Sequence, residues 1–521
     1  MSNVFTLSLN TPAYKGTVSC KTDLYINGQW VKPAEGGAID VVNPATGKLI
    51  TSVSAGTSKD VDIAVEAAQK AYQTSWGLKV PGTVRAELLF KLIALFDDNA
   101  EEFAALEALN CGKPYGSAKQ FDIALCRSTL KYYAGWADKT HGETVETEEN
   151  KLVYTRREPY GVVGAITPWN APLVLDISSS RRWSMYLTLR LQGLFLLKII
   201  PALATGNTIV IKPSEITPLT ALRFADLIAQ AGFPPGVVNI VNGYGNTVGE
   251  AIAHHPEIRK LSFTGSALTG RKIQEASAKT NLKAVNLELG GKSPSIIFDD
   301  ANLEQTVKWA SAGIFANMGQ ICTAGSRIFV QEGIYDAFLK GFIAESQVFE
   351  AQTGDPFSGN TLHGPQISQT QFDRVMSYID SGKSDGATVQ IGGERHGTEG
   401  YFIKPTIFTD CKPEMKMVQE EIFGPVAAVI KFKTEEEAIR MANNTTYGLA
   451  CGVFTENGSR ALRVAHALEA GTAWVNCYNS FDIKVPFGGY KMSGFGREYG
   501  KASLELYTQV KAVHINIGMK L

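Results

Sequence analysis

Between residues 207 and 289 strand-like and helix-like stretches alternate without a break, and this constrains the fold more than any other feature of the chain. The apolar run 207–211 reads as a buried strand, 218–231 as a helix and 236–241 as a strand; a short helix near 247–254, a strand 259–263, a helix 266–279 and a strand 284–289 follow. Strands joined through helices run parallel, and a parallel sheet is apolar on both faces and must be covered on both. The pattern is that of a dinucleotide-type α/β fold. After Gly291 the alternation resumes with helix 303–318, strand 327–330, helix 335–345 and later helix 435–443. That predicts a second α/β domain with Cys322 near its start.

Upstream, a loose N-terminus precedes a helix over 59–76, where Val61, Ala64, Val65, Ala68, Ala71 and Tyr72 recur at helical spacing. The stretch 85–110 reads as a longer amphipathic helix, stopped by Gly112 and Pro114. Two polar, strand-prone pieces, 143–158 and 506–516, suit neither core. A length of 521 residues exceeds one compact core and calls for two or three domains. Apolar content of 44% against 19% charged marks an ordinary soluble globular protein. With 50 basic and 51 acidic residues, no basic patch points to nucleic acid or an anionic membrane. Seven dispersed cysteines without a Cys-x-x-Cys pair suit a reducing compartment. His254-His255 reads as an exposed helix end, and no metal site is expected. The first thirty residues lack arginine and any apolar run of leader length, so a cytoplasmic location is expected. The most hydrophobic region, 185–204, is broken by Arg190, Gln192 and Lys198 and falls short of the ~18 apolar residues of a membrane span.

Two short segments carry reactive side chains in complementary settings. Leu287-Glu288-Leu289-Gly290-Gly291-Lys292 sets a carboxylate among leucines and glycines, where partial desolvation tunes it toward a general base. Further on, Gly319-Gln320-Ile321-Cys322-Thr323-Ala324-Gly325 presents a thiol, which adds to a carbonyl once ionised. A free cysteine is more often a small core residue, and a glutamate before two glycines can simply end a strand. Together, a thiol that forms a thioester and a carboxylate that directs water to cleave it make a complete cycle.

Nucleotide-binding signals are local and uneven. The run from Gly243 through Gly245 to Gly249 follows a strand but misses the Gly-x-Gly-x-x-Gly spacing, and reads more readily as a tight turn. Phe263-Thr264-Gly265-Ser266 before a helix is better: Gly265 lets backbone approach closely, and Ser266 with the helix N-terminus can hold a pyrophosphate. Gly270-Arg271-Lys272 does not fit a Walker loop. Lys212-Pro213-Ser214-Glu215 lies just past a strand, at the carboxyl edge where such sheets bind ligands. A surface ion pair worth ~0–1 kcal/mol is the plain alternative for Lys212 and Glu215, and it leaves Pro213 unexplained.

In their order, these segments closely resemble the signature motifs of the NAD(P)-dependent aldehyde dehydrogenase superfamily, in its hydrolytic, non-CoA-acylating branch. The resemblance spans about 25–513 and takes in Thr167-Pro168-Trp169-Asn170, Pro201-Ala202-Leu203-Ala204-Thr205-Gly206-Asn207, Glu421-Ile422-Phe423-Gly424-Pro425 and Pro486-Phe487-Gly488-Gly489. It implies an α/β aldehyde dehydrogenase fold: a Rossmann-like parallel-sheet NAD domain over 9–140 and 160–290, a second α/β catalytic domain over 291–492, and a small β oligomerisation extension over 141–159 and 506–517. That extension implies a homodimer or homotetramer. The resemblance also implies that Cys322 attacks a small-molecule aldehyde, that Asn170 and the Cys322 N–H hold the oxyanion, and that Glu288 deprotonates the hydrolytic water. Lys198 and Glu498 would relay the proton outward. For the cofactor it implies Thr167, Trp169, Ser214, Gly245, Gly265, Ser266 and Leu289, with Lys212 and Glu215 on the adenosine ribose and Glu421 and Phe423 at the nicotinamide. A carboxylate at Glu215 accepts ribose hydroxyls and repels a 2′-phosphate, so NAD is expected over NADP. The implied substrate tunnel runs past Trp169, Ile321, Thr323 and 474–481, without fixing which aldehyde enters. Gly265-Ser266-Ala267-Leu268 departs from the Thr-Glu that many relatives carry after the serine, which matters little where backbone makes the contact.

One departure is larger. Lys198 lies 28 positions after Asn170, where the family places its lysine nine positions on. About 19 extra residues therefore sit within 177–197 and interrupt what is expected to be one helix. A looped insertion, an added partner-binding segment and a retained intron of 19 codons all fit. The Ser-Arg cluster and the apolar run without clean period place the intron first. A real insertion that displaced Asn170 or Lys198 would leave a catalytically impaired or non-catalytic member of the fold.

Overall fold

In the computed structural model, residues 3–170, 172 and 194–520 are described. Most of the 177–197 stretch lies outside the described residues; its last part opens the helix Leu194–Ala204, which carries Lys198 and Pro201.

Five parallel strands form the centre of the first sheet, in the spatial order Ala284–Glu288, Lys260–Thr264, Val162–Ile166, Thr208–Lys212, Val238–Ile240. The chain winds outward from Val162–Ile166 in one direction and then returns to build the other side. The crevice between Val162–Ile166 and Lys260–Thr264 is therefore the point where strand order reverses, the place such sheets bind ligands. Antiparallel strands close both edges: Gly494–Phe495 beside Ala284–Glu288, and Leu24–Ile26 with Gln29–Val31 at the far side. Alternation along each strand explains the two covered faces. Ile209 and Ile211 pack with Leu222, Phe195 and Leu92, whereas Val210 packs with Val61, Val65 and Ile252 on the other face. Each such aliphatic side chain, fully buried, contributes about 1.5–3 kcal/mol.

The second sheet has seven strands, in the order Thr388–Ile391, Thr406–Thr409, Val426–Phe432, Arg327–Gln331, Pro294–Ile297, Ala450–Phe454, Thr472–Val475, all parallel except the first. A third, antiparallel sheet joins Thr508–Asn516, Lys151–Pro159 and Thr144–Val145, built from the two polar pieces that fitted neither core. The architecture is the α/β, parallel-sheet fold expected from the sequence.

Three local expectations are corrected. The N-terminus is not loose but a hairpin, Val4–Asn10 against Lys15–Lys21, because Phe5, Leu7 and Leu9 alternate with polar residues and pack on the main core. The stretch 85–110 is two helices, Gly82–Asp98 and Ala100–Cys111. Asn99 breaks it, its side-chain amide donating to the Leu95 carbonyl at 2.7 Å in competition with the helical pattern. Gly112 ends the second helix in the left-handed conformation, φ 75°. The helix expected over 303–318 stops at Phe315, and the reason lies in the site that follows.

Candidate active site

Glu288 is the last residue of its strand, paired with Thr264 on one side and Gly494 on the other. The two glycines after it make a convergence possible. A Cβ at Gly291 would sit 2.5 Å from the Cys322 carbonyl oxygen, and one at Gly290 would collide with the Glu421 carboxylate. Gly291 donates its N–H to Glu421 Oε1 at 3.0 Å. Side chains at these two positions would hold apart the strand end, the cysteine loop and Glu421.

The cysteine loop is strained. Asn317, Met318 and Gly319 all take positive φ (48°, 57° and 70°), ending the preceding helix. Such a conformation costs on the order of 1–3 kcal/mol at a residue like methionine, and is kept only where surroundings enforce it. Here they do. Asn317 donates its side-chain amide to the carbonyls of Asn170 and Gln320, both at 3.1 Å. Gln366 donates to the Met318 carbonyl, and the Ile367 N–H donates to Gln320 Oε1 at 2.9 Å. On the far side of Cys322, the Thr323 hydroxyl donates to Asn479 Oδ1 at 2.7 Å and the Tyr478 hydroxyl to the Thr323 carbonyl at 2.9 Å. Asn170 joins this network directly, donating its side-chain amide to the Gln320 carbonyl at 3.0 Å.

Electrostatically the site is short of positive charge. Burial, then the carboxylates of Glu421 and Glu288, push the Cys322 thiol far above its usual range. The Glu288 carboxyl is raised well above the ordinary carboxylate range by burial first and the Glu498 charge second, with Lys198 and Arg497 opposing. Neither Glu288 oxygen has a hydrogen-bond partner among the described residues. Burial lifts Glu421 to about 7 against the pull of the Gly291 N–H, Arg374 and Lys292. Behind Glu288, Lys198 and Glu498 form a buried ion pair. A protonated resting thiol has a measurable consequence. The rate of Cys322 alkylation by iodoacetamide is expected to keep climbing past pH 9 in the free protein, and Glu288→Gln should shift that climb to lower pH. A plateau near pH 8.5 in both proteins would contradict this charge balance.

Along the carboxyl edge of the first sheet lie the nucleotide-binding expectations. Ser266 caps the helix Ala267–Lys279, its hydroxyl accepting the Thr269 N–H at 3.3 Å, and this helix start is open to solvent. Leu289 packs on Gly270, whose missing side chain seats the helix against the strand end. Beyond Val162–Ile166, Thr167 donates its N–H to the Lys212 carbonyl. Lys212 is buried and meets the half-buried Glu215 at 2.7 Å, across a turn through Ser214. Gly245 opens a helical turn with nothing within 4 Å of where a Cβ would stand. The Trp169 and Phe423 rings meet edge to face at 5.1 Å between the two sheets. The free N–H groups of a helix start, a lysine–carboxylate pair one strand on and a bare glycine turn suit a dinucleotide lying along this edge. Lys212 and Glu215 stand apart from the Cys322 loop, on the outer side of the strand-order reversal.

Sequence comparison gives these features a family. A profile of the aldehyde dehydrogenase family matches residues 30–180 and 192–513. The chain belongs to the aldehyde dehydrogenase family. The break in the match falls inside the 177–197 stretch. An aldehyde dehydrogenase of Agaricus bisporus is 56% identical over 521 residues, covering 100% of both chains, and one of Aspergillus niger is 52% identical, covering 95% of each. The NAD+ complex of an aldehyde dehydrogenase from Bacillus cereus superposes with a TM-score of 0.90 at 44% identity, over 95% of this chain and 97% of that one. The family is enzymatic, and the relatives favour an active aldehyde-oxidising enzyme over a non-catalytic member. Local reading missed Asn317, and it placed Tyr478 and Asn479 only within a tunnel-lining segment; that all three brace the cysteine loop is visible only in the long-range packing.

Proposed function

We propose that this aldehyde dehydrogenase oxidises an aldehyde to the carboxylic acid with NAD, through a thiohemiacetal and then a thioester on Cys322. The observation that carries the reading is the meeting of the Cys322 loop, the Glu288 strand end and Glu421 over Gly290-Gly291. The Cys322 sulfur adds to the aldehyde carbon after giving up its proton. One N–H of the Asn170 amide is anchored on Gln320, which aims the amide at the loop; the other, with the Cys322 backbone N–H, holds the oxyanion. Bound NAD supplies the hydride acceptor that takes the thiohemiacetal to the thioester. Glu288 then removes a proton from water, the hydroxide cleaves the thioester, and the proton leaves through Glu498 and Lys198. Balance is one aldehyde, one water and one NAD+ to one acid, one NADH and one proton. The assay is NADH formation against a panel of small, long aliphatic and aromatic aldehydes, with acid product measured at equal yield. NADH without acid, or no NADH with any member, would overturn the proposal.

The domain boundaries given above, and the cofactor roles of Thr167, Trp169, Ser214, Gly245, Leu289 and Phe423, belong to the same proposal. So does a homodimer or homotetramer formed through the third sheet. Among the described residues its outer strand Thr508–Asn516 pairs on one side only, with Lys151–Pro159; Val510 and Ile515 are exposed on the outer strand and Leu152 on its neighbour, the kind of edge that invites pairing. No helix among the described residues is long and apolar enough to cross a membrane; a cytoplasmic location is proposed. NAD preference over NADP rests on Glu215. Glu215→Gln is expected to lower the NAD-to-NADP ratio of kcat/KM about tenfold, the effect of removing ~1.4 kcal/mol of like-charge repulsion. An unchanged ratio would remove Glu215 from that role.

A further inference from the structure

Gly290-Gly291 brings Glu421 against the strand end, and the residue after those glycines is a buried ammonium that the mechanism leaves without a task. Lys292 is 1% exposed, and its Nζ has no hydrogen-bond partner among the described residues. Its neighbour Gly291 donates its N–H to Glu421 Oε1 at 3.0 Å, and a Cβ at Gly290 would collide with the same carboxylate. Arg327 donates to the Lys292 carbonyl at 2.8 Å and to the carbonyls of Met441 and Ala442, which fixes the backbone leading into the strand Pro294–Ile297. Glu421 is half-buried and keeps an access to the cleft that Lys292 lacks.

A buried ammonium without a hydrogen-bond partner calls for an explanation, since an uncompensated ion in water-poor surroundings neutralises instead. The groups whose charge acts on Lys292 are Arg327, which repels it, and Glu421, Cys411 and Glu420, which favour it. Burial, then Asp410, pushes the Cys411 thiol up to about 12, so it is uncharged near neutral pH. Glu420 is exposed, and its Oε2 accepts the Tyr378 hydroxyl at 2.7 Å. Glu421 is the opposite charge that remains. The relation is mutual, because Lys292 is among the charges that draw the Glu421 carboxyl back toward ionisation. Arg374, the other cation acting on Glu421, is exposed and screened by solvent.

We propose that Lys292 is a positioning residue for cofactor binding: its enclosed ammonium holds the Glu421 carboxylate ionised and so keeps it a strong acceptor for the hydroxyls of the nicotinamide ribose. The proposal rests on the reading of Glu421 at that ribose. Hydrogen bonds to an ionised acceptor are roughly twice as strong as neutral ones, so the state of Glu421 sets how firmly the ribose is held. Burial, with Arg327 adding repulsion and Glu421 opposing, brings the Lys292 ammonium down to about 7, and burial lifts the Glu421 carboxyl to about 7. The ammonium is therefore present on the acid side of neutrality, where Glu421 would otherwise take up a proton. Tyr447, on the strand Tyr447–Gly448, and Cys322 also feel the Glu421 charge; burial raises both, and near neutral pH neither adds a charge of its own. Without the Lys292 charge, ionising Glu421 costs more, and the pH at which cofactor binding strengthens moves up.

The test is Lys292→Met in the full-length protein, read by calorimetric titration with NAD+ in the absence of aldehyde, from pH 6 to 9. Wild-type affinity should weaken as pH falls through about 7, where Glu421 takes up its proton. In Lys292→Met that limb should move up by ~1 pH unit, which is about tenfold weaker binding on its rising side. On the alkaline side, where Glu421 ionises without help, affinity should stay within about threefold of wild type. Glu421→Gln should remove the limb, and adding Lys292→Met to it should change NAD+ affinity no further, since the ammonium acts only through that carboxylate. An unmoved limb in Lys292→Met, an equal loss at every pH, or a further loss in the double variant overturns the proposal and leaves Glu421 at the ribose. If Lys292→Met alone does not fold, the double variant decides: removing one charge of each sign should restore the fold, and a double variant that stays unfolded overturns the proposal. Failure of the Glu421 reading looks different: Glu421→Gln then keeps both the wild-type affinity and its pH dependence.

Discussion

Cys322→Ala is expected to reduce NADH formation with every aldehyde to background, a loss of roughly 10³-fold or more, because the covalent route depends on the Cys322 sulfur. Cys477, half-buried and next to Tyr478 in sequence, lies outside the loop that Asn170 and Gly291 address. The variant should remain folded. The strained turn at Asn317 and Met318 is held by amide and carbonyl groups rather than by sulfur, and loss of one half-buried thiol costs on the order of 1 kcal/mol. Cofactor binding should persist as well, since Lys212, Glu215 and the Ser266 helix start are untouched. A folded, cofactor-binding protein without NADH formation is the expected result, checked by stopped-flow absorbance beside a thermal melt. Turnover within tenfold of wild type would remove Cys322 from the chemistry.

That loss could be anticipated from the sequence, and the reasons are local. Glu288 and Cys322 each sit in a short segment whose small neighbours announce an exposed backbone and a crowded site. The alternation of strands and helices over 207–289 follows from periodicity, and the sheet realises it with Ile209 and Ile211 on one face and Val210 on the other. Lys198 and Glu498 are 300 positions apart, and no local pattern pairs them; only the family resemblance did. The function of Gly290-Gly291 was half legible. Two glycines after a strand signal a close approach, but that the approaching groups are the Cys322 carbonyl and the Glu421 carboxylate is a property of the folded chain. The break at Asn99 could have been seen, since asparagine competes for helical hydrogen bonds, yet the amphipathic pattern continues across it and outweighs that signal.

Glu288→Gln should separate the two halves of the cycle. Glutamine keeps the size and the strand-end position but cannot take a proton from water. The thiol still adds to the aldehyde and hydride transfer still occurs, so one NADH per active site forms in a burst. Hydrolysis of the thioester then limits, and the steady rate should fall by about 10²–10⁴, the usual worth of a positioned general base. The acyl group should remain on Cys322 and be visible by mass spectrometry of the quenched protein. The pH dependence carries the sharper signature. Burial and the Glu498 charge hold the Glu288 carboxyl well above the ordinary range, so at acid pH it is protonated and idle, and wild-type hydrolysis should rise as pH increases through that raised value. The variant lacks the titrating group and should lose that limb, retaining only the slow attack by water or hydroxide. Removal of one negative charge also lowers the Cys322 thiol, so its burst should extend to lower pH than in wild type. Rapid steady turnover with the limb intact, or no acyl adduct after the burst, would show that the hydrolytic base lies elsewhere.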